Sequence, residues 1–195
     1  MWARQGVWQW HKAHPAKYHM LIGEVPLVGN RLIELVQKQD DEVELLLRSE
    51  QTRFFLPVPS RKIRAIIEAA RARSIANPQH EKETKDAPPN VLQLNWYEAN
   101  ELAYRLGLLD KPPMAGMAYH PEVYTAVYRH LLQHRQHQVL PITATLENGR
   151  SVYDLDIIIS DIQASPQEVT RIITHLETKF SLEEIAHAVA QWHTL

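Results

Sequence analysis

The 195-residue sequence predicts an α+β protein: a small αββα front unit followed by a helical unit built around a β-hairpin at residues 139–162. Three observations carry that expectation. Glu42–Arg48 and Arg53–Val58 alternate apolar and polar residues at the period of a strand, with Val43, Leu45 and Leu47, then Phe54, Leu56 and Val58, on one face. Ser165-Pro166-Gln167-Glu168 and Ser181-Leu182-Glu183-Glu184 are capping boxes, each opening a stripe of helical spacing. Asn148-Gly149 tolerates the positive φ angles of a type I′ turn; centring the turn there sets Ala144 opposite Tyr153, Ile142 opposite Leu155 and Leu140 opposite Ile157.

Taken in order, residues 1–20 are an aromatic-rich opening segment holding Trp2, Trp8, Trp10 and Tyr18, with Trp8 and Trp10 on one face if extended. Arg31–Lys38 is a short helix. After the two strands, Pro57 and Pro59 end the pairing, and Ser60 is placed to cap a helix over Arg61–Ser74 whose inward stripe is Ile63, Ile66, Ile67 and Ala70. Residues 77–90 (NPQHEKETKDAPPN) are polar, rich in proline and without period, the composition of a linker. They divide the chain into a front unit (1–76) and a back unit (91–195). The back unit opens on a helix from Asn95, with Ala99, Leu102, Ala103 and Leu106 inward up to Gly107. A helix from Pro121 to about His134 follows, then the hairpin. Pro141 cannot donate to a ladder, which puts its strand at an edge or at its start. In the last two helices Val169, Ile172, Ile173 and Leu176, then Leu182, Ile185, Val189 and Trp192, are the inward residues.

Composition narrows the function. Apolar residues make up 45% and charged residues 23%, as in an ordinary water-exposed globular domain, and no apolar run approaches the roughly 18 residues of a membrane span. No secretory pattern opens the chain. The absence of cysteine excludes disulfides, thiolate zinc sites and cysteine nucleophiles, and fits a cytoplasmic protein. Residues 1–78 hold 12 Lys+Arg against 8 Asp+Glu, while residues 79–195 hold 9 against 15, so a basic front precedes an acidic back. Six glycines and no Walker-type loop exclude a glycine-rich phosphate cradle.

Four groups of residues could carry chemistry. Arg61, Lys62, Arg64, Arg71 and Arg73 lie on one helix against a lone Glu68, a surface able to neutralise phosphates or meet an acidic protein. Trp8 and Trp10, interleaved with Arg4 and Lys12, could offer aromatic contacts. His130 and His134 share a helix face, but without an HExxH they read as solvated polar residues. Asp154 and Asp156 share a strand face, the arrangement that lets two carboxylates hold a divalent metal.

GRSVYDLDIII resembles the Gly-Ser…Asp-x-Asp segment of the nucleotidyltransferase superfamily. The resemblance implies metal-dependent phosphoryl transfer through Asp154 and Asp156, although Gly149 and Ser151 sit on the hairpin itself rather than on a separate helix entry. WYEANELAYRLGLL (96–109) resembles the start of a helix-turn-helix, with a longer connection than that motif uses.

The expectation is a non-catalytic cytoplasmic binding or adaptor protein. It needs no cofactor and engages an acidic partner, protein or nucleic acid, through its basic helix. The alternatives are the metal-dependent transferase and a self-assembling structural protein docking through its Trp-rich start.

Overall fold

The computed structural model describes residues 2–15, 18–28, 32–146, 151–154 and 165–192. It is an α+β protein. Among the described residues, helices α1 (Trp2–Ala13), α2 (Glu44–Arg48), α3 (Arg61–Ala76), α4 (Pro89–Arg105), α5 (Pro121–Leu131), α6 (Pro166–Lys179) and α7 (Leu182–Ala190) accompany two strands, β1 (Phe54–Pro59) and β2 (His137–Ile142). No helix among them is long and apolar enough to cross a membrane.

The chain folds as two compact units, each discontinuous in sequence. The first gathers the described residues of Met1–Arg53, Leu131–Gln136 and Ile158–Leu195; the second, those of Phe54–His130 and His137–Ile157. The stretch 77–90 falls inside the second unit. There Glu81–Lys85 forms a 3-10 turn, with His80 Nδ1 accepting from the Lys82 amide at 3.1 Å. Glu83 is buried, accepting from the Gln79 amide at 2.7 Å and from Ser151 Oγ at 2.5 Å. A polar composition therefore conceals a segment held by its own acid.

In the first unit, Leu27, Val28, Ile33, Val36, Val43 and Leu47 are among the buried apolar side chains. The aromatic opening segment is helical. The α1 N-terminus meets an acid, the Ala3 amide donating to Glu34 Oε1 at 2.6 Å, which suits both an orphan amide and the helix dipole. The strand expected at Glu42–Arg48 is a helix, because local hydrogen bonds outweigh alternation. Asp41 Oδ1 accepts from the amides of Val43 and Glu44 at 3.1 and 3.0 Å, starting a helical turn. Val43, Glu44 and Leu47 then point inward and Leu45 is left 80% exposed. The front is accordingly not αββα. Both capping boxes form as expected, at Ser165 with Glu168 and at Ser181 with Glu184. The stripes behind them are less buried than expected: Ile172 is inside, whereas Ile173, Leu182 and Val189 are exposed.

In the second unit, β1 and β2 pair in parallel, from Phe54 beside His137 to Pro59 beside Ile142. The Ser60 amide adds a bond to Ile142 O at 3.0 Å. Among the described residues the sheet has these two strands, each with an unpaired side that tolerates Pro57, Pro59 and Pro141. Of the expected hairpin the described residues show the first strand, with 139–142 paired to β1, and one departure: Val152–Asp154, expected on the second strand, is a 3-10 turn. Leu56 and Val58 offer a buried apolar face, while Ser151 is tied to Glu83 and Tyr153 Oη donates to Asp86 Oδ1 at 2.5 Å. Asn148-Gly149 and residues 155–162 lie outside the described residues.

Helix α3 begins at Ser60, whose Oγ accepts from the Ile63 amide at 3.3 Å. Ile63 is buried, but Ile66, Ile67 and Ala70 are exposed, contrary to the stripe expected there. Helix α4 starts at Pro89 rather than Asn95, since proline's fixed φ is ready for a first helical position. It buries Trp96, Ala99, Asn100, Leu102 and Ala103. It closes in a Schellman motif: Leu108 donates to Ala103 O at 2.8 Å and Gly107 to Tyr104 O at 3.0 Å, with Gly107 at φ +71°.

Candidate functional site

The basic residues sit on two sides of α3. At about 100° per residue, Arg61, Arg64, Glu68 and Arg71 share one side, while Lys62 and Arg73 project from another. The first side is engaged. Arg64 Nε pairs with Glu68 Oε1 at 2.6 Å, its Nη2 donates to Leu92 O at 3.0 Å, and its guanidinium lies 5.4 Å from the Tyr119 ring centre. Arg71 pairs with Asp86 at 2.5 Å. Arg61 donates to His120 Nδ1 at 2.5 Å and is exposed. Lys62 and Arg73 are exposed to solvent.

Arg61 and Arg64 line a cleft of about 360 Å³ between α3, α4 and the loop 113–119. Trp96 and Tyr119 form its aromatic wall, edge to face with centres 5.1 Å apart; Tyr119 meets Tyr124 the same way at 5.7 Å. Trp96 Nε1 donates to Met117 O at 3.1 Å, and Gly116 turns the loop at φ +78°, a left-handed value suited to glycine. Met114 stands 73% exposed at the mouth.

Two buried polar atoms of residues lining this cleft have no hydrogen-bond partner among the described residues: Asn100 Oδ1 and the Tyr119 hydroxyl. The Asn100 amide cannot simply be reversed, because its Nδ2 donates to Trp96 O at 2.7 Å, a role its oxygen could not take. Such an atom normally finds a partner, and leaving it without one costs about 1–3 kcal/mol. Burial also raises the Tyr119 hydroxyl pKa above the ordinary phenolic value, with Tyr124 adding to the shift, so the group stays a neutral donor and acceptor.

The remaining expected site residues lie elsewhere. Trp8 and Trp10 are half-buried on α1, each with one stacked histidine: His11 at 5.7 Å and His14 at 4.8 Å between centres. Trp8 also has Lys12 5.3 Å from its ring centre, and its indole Nε1 is buried without a partner among the described residues. Asp154 is exposed on the 3-10 turn, and Asp156 lies outside the described residues. No group of three or more metal-ligating side chains occurs among the described residues.

The first unit contains a polar cluster that sequence reading did not single out. Arg4 is 1% exposed; it grips Asp41 through Nε at 2.7 Å and Nη2 at 2.5 Å, reaches Glu44 Oε2 at 2.9 Å and donates to Glu34 O at 3.0 Å. Arg135 holds the other side of Glu44, at 2.8 Å to Oε1 and 3.0 Å to Oε2, and donates to the carbonyls of Leu35 and Gln37 at 2.7 Å each. Two cations and two carboxylates balance, and the guanidiniums satisfy carbonyls left by the turn at Leu32–Leu35. Burial works against the ionised Glu44 but is outweighed by Arg135 and Arg4, which hold its carboxyl below the ordinary range. The Arg4 hydrogen bond does the same for Asp41. These bonds tie residues 4, 34–44 and 135 together, a role in holding the fold of the first unit.

No family model, curated protein or solved structure matches this chain. The cleft is thus read on its own chemistry: a cationic rim, an aromatic wall and two lining residues with buried, unmet polar atoms, without a nucleophile–base pair among its lining residues.

Proposed function

We propose that this chain is a non-catalytic cytoplasmic binding or adaptor protein that engages an acidic partner protein through the first turns of α3. One observation carries the reading: the exposed Arg61 stands at the rim of the α3–α4 cleft, whose buried polar atoms lack partners among the described residues. The lack of cysteine in the sequence supports the cytoplasmic setting.

Protein is favoured over nucleic acid by the placement of charge and aromatics. A phosphate-tracking surface wants several cations in one row with open ring faces between them. Here the five cations split between two sides of α3, two of them are paired with Glu68 and Asp86, and Arg64 already covers a face of Tyr119.

Fluorescence anisotropy with three labelled probes tests the reading: an oligoglutamate decapeptide, a single-stranded RNA and a duplex DNA, each at low and physiological salt. The expected result is salt-sensitive binding of the peptide, weakened about tenfold when Arg61 and Lys62 become Gln. Absence of peptide binding at low salt would remove the proposal, and tighter binding of RNA or DNA would replace its partner class.

A further inference from the structure

We propose that the α3–α4 cleft is a receptor for a single acidic side chain flanked by apolar residues in an extended partner peptide, with a peptide N–H donating to Asn100 Oδ1. This deepens the reading above and rests on it.

The ligand class follows from what the cleft lacks. Asn100 Oδ1 is an acceptor whose own amide nitrogen is committed to Trp96 O, so its missing partner is a donor. The Tyr119 hydroxyl can give or take one hydrogen bond and makes neither among the described residues. At the rim, Arg64 is balanced by Glu68 at 2.6 Å, which leaves Arg61 as the cation able to turn from His120 to an incoming anion. One guanidinium with no carboxylate partner among the described residues suits one carboxylate. Met114 and Tyr97 present apolar surface at the same mouth, and methionine's flexible thioether adapts to varied side chains. A peptide supplies all three parts at once: main-chain N–H donors, a carboxylate and neighbouring apolar side chains.

Nucleobases fit less well. Tyr119 meets Trp96 and Tyr124 edge to face and has Arg64 over its ring, and Trp96 is itself buried, so neither offers an open platform. Asn100 Oδ1 and the Tyr119 hydroxyl are shut off from solvent, so ligand entry shifts loop 113–119 away from α4. The polar tie to be loosened is the Trp96 indole bond to Met117 O, which also makes that indole a reporter.

The test is a two-dimensional ¹H–¹⁵N spectrum of the full chain, titrated with Ac-Ala-Leu-Glu-Leu-Ala-amide, with the same peptide carrying Gln for Glu, with inorganic phosphate, and with a short oligouridylate. The Trp96 indole signal is assigned by Trp96→Phe. Saturable shifts of the Trp96 indole and the Asn100 side-chain amide are expected, with the Glu peptide about tenfold tighter than the Gln peptide and that difference lost in Arg61→Gln. Tyr119→Phe, which removes only an unpartnered hydroxyl and keeps the ring, is expected to fold and to bind the Glu peptide more weakly. Equal affinity for the two peptides, shifts that miss Trp96 and Asn100, or a stronger response of those signals to phosphate or oligouridylate would each overturn the inference. Acidic-peptide binding that depends on Lys62 and Arg73 but leaves Trp96 and Asn100 unmoved would overturn the cleft while sparing the adaptor reading. No binding of any acidic peptide at low salt would end both.

Discussion

The buried cluster around Glu44 and the residues lining the α3–α4 cleft both carry polar atoms inside, and they treat them in opposite ways. At Glu44 two guanidiniums, two carboxylates and several carbonyls meet one another's hydrogen-bonding needs. At the cleft, Asn100 Oδ1 and the Tyr119 hydroxyl are buried and unmet among the described residues. The comparison separates polar groups that hold a fold from polar groups that, on the function proposed above, are kept in reserve. A satisfied network has nothing to offer a partner, whereas an unsatisfied atom lowers the stability of the empty protein and gains when a partner arrives.

The sharpest way to break the comparison is Glu44→Ala. It strands Arg135, and Arg4 in part, inside the first unit, and removing one member of a buried pair costs about 3–5 kcal/mol. Urea denaturation is expected to show a loss of that size. A loss comparable to an exposed pair, below about 1 kcal/mol, would show that water reaches the cluster and that it holds nothing.

Acid offers a second route to the same cluster. Asp41 and Glu44 have folded pKa values below their ordinary 3.8 and 4.5, so the unfolded chain takes up protons first. The stability they contribute is present above those values and drains away as the pH falls below them. Denaturation midpoints measured from pH 7 to pH 3 are expected to drop most steeply below 4.5. In Glu44→Gln that slope should flatten. An unchanged slope would place the acid sensitivity elsewhere, with Glu83, Glu168 and Glu184, also held low by their hydrogen bonds, as the next acids to vary.

What the sequence disclosed and concealed follows the same division between local and distant chemistry. The caps at Ser60, Ser165 and Ser181 and the glycine stop at Gly107 were legible because each is complete within a few residues. The buried cluster was not: Arg4 meets Glu44 across 40 positions and Arg135 meets it across 91, and nothing in an arginine's neighbours announces that it is inside. The pairing of β2 with β1 is non-local in the same way. In the sequence only charge marks Arg61 and Arg64. The cleft beside them did have a signal, in Asn100 set among Trp96, Ala99, Leu102 and Ala103, a polar residue on an otherwise apolar helix face.

A smaller effect tests the frame that carries the cleft. Gly107 sits at φ +71° where α4 stops, with open space around its α-carbon, so Gly107→Ala meets backbone strain and no collision. The expected cost is about 1 kcal/mol, read as a shift of the thermal midpoint. Asn100 and Trp96 lie about two to three turns upstream, and the Trp96 indole signal is expected to stay in place. If that signal moves, the Schellman stop also positions the cleft.

The smallest change is the most diagnostic. In the buried cluster, removing a polar group should always destabilise. In the cleft the same operation should not. Tyr119→Phe deletes a hydroxyl that makes no hydrogen bond among the described residues and keeps the ring against Trp96, Tyr124 and Arg64. Taking away a buried polar atom with no partner is expected to leave stability unchanged or raise it by up to about 1 kcal/mol. Thermal melts of the variant beside the parent read that sign directly. A gain in stability together with weaker peptide binding is what a reserved polar group produces. A clear loss of stability would mean that the hydroxyl has a partner in the folded protein after all, and the two regions would then differ only in degree.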